Sequence, residues 1–180
     1  MADPESTVTY RVERKGLLSP EFQLSSPEGP VGVLTLERGR GMLVGGRWSP
    51  LSGEVLTMRR DPGLLRSQFS LWTEGHEWLG SSLRPHVVRR EVMLHTGSRP
   101  LRMLPLTGLH SGWVLLAPKT GDMARFHLPL LGGAGRIEVY RKVDFELVVF
   151  AWFLGLQLRL ESLWPGPAEA AGRAAARLAG

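Results

Sequence analysis

The sequence predicts a mainly β protein, a closed antiparallel barrel of about twelve strands around a buried C-terminal apolar helix. Three observations carry that expectation. Apolar residues recur at every second position in short stretches set apart by Gly, Pro, Ser or Asp. Glycine and proline are abundant, at 22 and 13 of 180 residues, as a turn-rich chain requires. Near the C-terminus the alternation gives way to a proline-free segment that is apolar on every side.

Val8, Tyr10 and Val12 open the series, followed by Phe22 with Leu24, residues 31–36, and the short stretch 42–44 after Gly39-Arg40-Gly41. Gly45-Gly46 and the segment 48–53 read as turn material leading to a strand at 55–58. Asp61-Pro62-Gly63 is a turn, its proline suited to a fixed φ and its glycine to a positive one. Phe69 and Leu71 mark the sixth strand, Glu74-Gly75 a turn, and residues 78–83 the seventh. The eighth is expected over 87–94 after Pro85, the ninth over 101–104 after Arg99-Pro100, and the tenth over 113–117. Lys119-Thr120-Gly121-Asp122 turns the chain into 123–128, and 137–140 closes the set after Gly132-Gly133-Ala134-Gly135. A repeat of about 8 to 12 residues per strand is the rhythm of an antiparallel sandwich or barrel.

Helical signals then take over. Asp144 is a good N-cap and Glu146 places a carboxylate in the first turn, at the positive end of the helix. Residues 145–163 lack proline, and Trp164-Pro165-Gly166-Pro167 ends the segment. Phe145, Val148, Val149, Trp152, Phe153 and Leu156 form one face, while Leu147, Phe150, Leu154 and Leu158 cover the other. A helix apolar all round is buried all round. The rival is a membrane anchor, but the apolar run 147–156 is broken by Gln157, Arg159 and Glu161, whereas a bilayer asks for about 20 apolar residues. A barrel of about twelve strands is too wide for its own side chains to fill. A helix about 28 Å long has the size to plug it.

Residues 1–6 are expected to be disordered, 7–164 to form a single domain, and 165–180 to be a flexible tail of Ala, Gly and Pro. The absence of cysteine excludes a disulfide framework, thiolate metal ligands and a cysteine nucleophile. The acidic, polar start of the chain has no secretory character, which reads as cytoplasmic, with peripheral association at a membrane.

The residues Phe22-Gln23-Leu24 with Gly29-Pro30-Val31-Gly32, and Val139-Tyr140-Arg141-Lys142-Val143-Asp144-Phe145 running into 147–158, resemble the tubby C-terminal-like superfamily. That superfamily comprises tubby domains, phospholipid scramblases and LURP-one-related proteins, and the resemblance spans about residues 7 to 164. It implies a twelve-stranded barrel around a C-terminal helix, with phosphoinositide binding in the tubby branch and lipid movement linked to calcium in the scramblase branch. The chain departs from the scramblases. It has no cysteine for acylation, and in place of an acidic segment it offers Glu138, Asp144 and Glu146. No tubby motif transfers residue by residue, so a lipid site must be argued from charge.

The net charge is +5, and only Lys15, Lys119 and Lys142 among the 22 basic residues are lysines. The arginine excess reads either as coding bias or as a surface for phosphate. The basic pairs are Arg59-Arg60, Arg89-Arg90 and Arg141-Lys142. Neighbours on a strand face opposite ways, so one arginine of each strand pair is expected outside. If the two strands lay close together, outward arginines could grip a phosphate bidentately.

No catalytic pattern is legible. His76, His86, His95, His110 and His127 form no zinc-hydrolase spacing, and nucleophile-elbow, Walker and dinucleotide motifs are absent. His76 beside Glu77 reads as a turn histidine, the glycine-rich stretches as turns, and the six tryptophans as core. The reading is a non-enzymatic barrel, without cofactor or metal, that binds anionic phospholipid head groups through Arg59, Arg60, Arg89, Arg90, Arg141 and Lys142. The alternative is a structural or protein-interaction module without a ligand. A second is a scramblase-like protein anchored by its C-terminal helix. Nucleic acid is not expected, because the basic stretches lack interleaved aromatic residues.

Overall fold

The computed structural model of the chain describes residues 7–16, 20–39, 42–62, 68–85, 90–97, 99–106, 112–128 and 134–163. The segments 1–6 and 165–180 lie outside the described residues, as does Arg89. Strands β1 (Val8–Arg14), β2 (Glu21–Ser26), β3 (Gly29–Gly39), β4 (Met42–Pro50), β5 (Leu56–Arg60) and β6 (Phe69–Thr73) make the first half. The second half is β7 (Trp78–Leu83), β8 (Val92–His95), β9 (Leu101–Pro105), β10 (Gly112–Ala117), β11 (Gly121–His127) and β12 (Gly135–Val139), followed by α1 (Phe145–Leu163).

Every strand pairs antiparallel with its neighbours in sequence, and β1 pairs with β12 through Val8↔Val139 to Val12↔Gly135, which closes the barrel. Closure leaves no sheet edge exposed to pairing with another chain. Because each strand reverses the last, the loops after even-numbered strands gather where α1 begins, here termed the proximal end. The loops after odd-numbered strands gather at the opposite, distal end.

The helix fills the lumen. Its residues from Leu147 to Leu158 are all buried, and its aromatic side chains meet strands on several sides of the barrel. Phe153 packs edge-on against Phe69 of β6 at 5.0 Å, and Trp152 lies 6.5 Å from Phe126 of β11. Each fully buried aromatic or aliphatic side chain stabilises the fold by about 1.5–3 kcal/mol relative to its exposure. The buried-helix expectation is met, and no helix among the described residues is long and apolar enough to cross a membrane.

Three local expectations are corrected. Gly45 and Gly46 do not turn the chain. They lie within β4, which runs on through Trp48, and a β-carbon on Gly46 would sit 2.9 Å from Cε2 of Phe153. The strand needs glycine there because the helix ring occupies the space a side chain would take. Gly135, read as the end of a turn, opens β12 for the same reason, facing Trp152. Among the described residues the eighth strand covers Val92–His95, its first pair being Val92↔Met103 with β9, and Arg90 and Glu91 precede it, while 87–89 of the expected strand lie outside the described residues. The strand alternation expected of Arg89-Arg90 therefore does not govern Arg90.

At the distal end the helix is tied to the wall by polar contacts. Arg84, just after β7, donates from Nη1 to Glu161 Oε2 at 2.6 Å, while buried Gln157 donates from Nε2 to the other oxygen of Glu161. One carboxylate thus satisfies two buried donors from different elements.

Candidate functional site

The structure divides the predicted basic residues between the two ends of the barrel. Arg59 and Arg60 finish β5 and Arg90 precedes β8, which puts all three at the distal end. Arg141 and Lys142 follow β12 at the proximal end. β6 and β7 stand between β5 and β8, so the two clusters are separated by three strand spacings, roughly 14 Å along the wall. That separation is too wide for one bidentate grip on a single phosphate, and it suits separate phosphates of an extended surface.

Their electrostatic surroundings differ. Cations on the barrel wall are matched by carboxylates: Arg47 with Glu74 at 3.1 Å, Arg102 with Glu91 at 2.7 Å, Arg125 with Asp122 at 2.7 Å and Arg136 with Glu138 at 2.9 Å. Arg38, Arg59 and Arg90 at the distal end are exposed and form no ion pair among the described residues. Arg60 is half-buried, and both it and Arg141 are engaged in interactions within the fold. Arg99, Lys119 and Lys142 at the proximal end are likewise exposed and form no ion pair among the described residues.

A polar network on β11 and β12 has no counterpart in the sequence reading. Glu138 accepts from the Tyr140 hydroxyl, pairs with Arg136, and lies 3.5 Å from His127 Nε2. Burial opposes the charge of Glu138. The Tyr140 hydroxyl bond, Arg136 and His127 outweigh it and hold the carboxyl below its ordinary value. Burial and the bond to Glu138 push the Tyr140 phenol up, and the Arg125 guanidinium lies 5.5 Å from its ring centroid. The period-two spacing Arg136-Glu138-Tyr140 was the available signal, but only the β11 pairing His127↔Arg136 and Arg125↔Glu138 brings in the other members. His76 is a turn residue as expected. It is exposed, adopts a φ of 67° and donates its N–H to the Thr73 carbonyl at 3.1 Å.

The proximal end carries a cavity of about 450 Å³ between the β2–β3 turn, the β4–β5 loop and the first turn of α1. Trp48, Pro30, Val31, Leu56 and Phe145 supply apolar lining, and Glu28, Glu54 and Glu146 supply charge. Among the described residues no arginine or lysine lines it. The site has the size of a small-ligand pocket and the opposite sign to the distal surface.

Fold and surface together define a helix-plugged β-barrel with a group of arginines without an ion pair among the described residues at its distal end and an acidic cavity at its proximal one. A solved structure of a protein from Arabidopsis thaliana is similar to it, with a TM-score of 0.58 and 16% identity over 85% of this chain and 90% of that one. The likeness is one of fold. No protein-family model and no curated protein matches the chain.

Proposed function

We propose that the chain is a non-enzymatic binding module of the tubby-like, LURP-one-like kind that docks its distal end on an anionic phospholipid surface. The observation that carries this reading is that three exposed arginines without an ion pair among the described residues, Arg38, Arg59 and Arg90, gather at one end of the barrel, whereas the exposed cations without one at the other end are one arginine and two lysines, Arg99, Lys119 and Lys142. Uncompensated arginines at one end of a rigid barrel create a local positive potential, and their planar donors match phosphate oxygens. The spacing of Arg59 from Arg90 fits neighbouring head groups better than one isolated phosphate. The superfamily resemblance supports the same reading.

Liposome co-sedimentation tests it, comparing neutral, phosphatidylserine-containing and phosphoinositide-containing vesicles at low and high salt. The expected result is binding to anionic vesicles alone, weakened by salt and lost in the Arg59→Glu, Arg90→Glu variant. Equal binding to neutral vesicles, or full binding by the reversed variant, rules the proposal out.

A further inference from the structure

We infer that the proximal cavity binds a small organic cation, a primary ammonium or guanidinium carried on an apolar group. The inference is independent of the lipid reading, because the cavity lies at the opposite end of the barrel and has the opposite charge. Its volume of about 450 Å³ falls within the range of small-molecule pockets. Three features of the lining restrict the occupant. The first is charge: Glu28, Glu54 and Glu146 come from three separate elements, and none forms an ion pair among the described residues. Exposed Glu37, Glu77 and Asp144 are likewise without an ion pair among the described residues, so what marks the cavity is that three such acids from separate elements line one concavity beside apolar surface.

The second feature is the apolar part of the lining. Phe145 packs edge-on to Trp48 at 5.8 Å, and Leu51 on the rim is 70% exposed, the most exposed large hydrophobic side chain among the described residues. An occupant that covers Leu51 removes apolar surface from water while its charged end meets the carboxylates. The third is preorganisation. The β4–β5 loop is held at the rim by the Glu54 Oε1 atom, which accepts the Gly75 N–H at 3.2 Å and leaves the other oxygen available. Anions are repelled by this lining, and purely polar cations leave Leu51 wet.

The test uses the full chain, titrated by calorimetry and NMR with phenethylammonium, hexylammonium and hexylguanidinium, and with 2-phenylethanol and phenylacetate as neutral and anionic controls. The expected result is binding of at least one cation with a Kd of about 1 mM or tighter, at least about tenfold tighter than either control. Shifts should fall on the Leu51 and Phe145 signals. Glu54→Gln with Glu146→Gln, near-isosteric changes at exposed positions, should weaken the cation about tenfold while the variant keeps the parent's folded NMR spectrum away from the cavity. Leu51→Ala should weaken hexylammonium without abolishing it. The inference is overturned if no cation binds, if the controls bind as well, or if the double variant keeps full affinity. It is also overturned if N-acetyl-lysine methylamide binds about tenfold tighter than every free cation, because the site would then read a polypeptide. Loss of vesicle binding by Arg59→Glu, Arg90→Glu with amine binding intact separates this site from the distal surface.

Discussion

Gly135 and Trp152 share one volume: a β-carbon on the glycine would sit 2.4 Å from Cη2 of the indole and 3.0 Å from Cζ2. The wall of the barrel is thinned where the plug is widest. Gly135→Ala is expected to cost about 1–3 kcal/mol, because a close-packed interior cannot absorb the added methyl. Trp152→Phe removes the clashing six-membered ring, so in the Gly135→Ala background it should cost less than in the parent. Urea unfolding of the four-member cycle measures this coupling, expected at about 0.5–3 kcal/mol. Additive single effects would refute the shared-volume account.

Phe153 supports the opposite wall, fully buried against Phe69 with Gly46 beneath it. Phe153→Ala should destabilise the protein by about 3–5 kcal/mol. Leu51→Ala, at a residue 70% exposed, should change stability by less than about 0.5 kcal/mol. Comparable midpoints in denaturant for the two variants would contradict the lumen position of α1.

The distal clasp of Arg84, Gln157 and Glu161 predicts asymmetric consequences. Arg84→Met alone leaves a largely buried carboxylate short of a donor and should cost about 1.5–3 kcal/mol. Adding Glu161→Leu removes both charges together but takes the acceptor from buried Gln157, so it should recover only part of that loss. Thermal unfolding of the single and double variants reads the difference.

Acid stability should depend on Glu138. Its carboxyl is held below the ordinary value of 4.5, so its charge stabilises the folded state above that pH and the contribution is lost as pH falls through the lowered range. Glu138→Gln should flatten the fall in stability below pH 4.5 and cost about 1 kcal/mol near neutrality. Tyr140, raised by burial and by Glu138, contributes below its ordinary value of 10.0 and loses its contribution as pH rises through the raised one. Tyr140→Phe should therefore flatten the alkaline limb. Denaturant unfolding across pH checks both limbs.

Lys142→Glu should leave vesicle association unchanged. Lys142 lies at the proximal end, separated from Arg59 and Arg90 by the length of a 19-residue helix, about 28 Å, against a screening length of about 10 Å at 0.1 M salt. A flat membrane touching the distal end does not reach it. Co-sedimentation of this variant beside Arg59→Glu, Arg90→Glu tests the orientation directly.

Much of the fold was legible in the residues. Alternation located the strands, and the all-round apolar segment with its Asp144 and Pro165 boundaries placed α1 from Phe145 to Leu163. The failures cluster at glycines. Gly45, Gly46 and Gly135 read as turns because local propensity favours that reading, and the actual role of Gly46 and Gly135 is set by helix rings more than a dozen residues away in sequence, while Gly45 is crowded by the Met58 carbonyl of β5 and the Glu37 side chain of β3. Similarly, the strand expected to include Arg90 and Glu91 begins at Val92, where pairing with Met103 of β9 starts.

The candidate sites were far less legible. Basic pairs could be counted in the sequence, but their assignment to opposite barrel ends follows from the up-and-down topology. Glu28, Glu54 and Glu146 carry no motif and meet only because two hairpin connections and the helix start share one end. Periodicity is a local property of the chain, so the sequence alone determined the strands, the helix and the need for a plug. Charge compensation and concavity depend on which distant segments become neighbours, so only closure of the barrel decided which arginines stay unmatched and where a cavity opens.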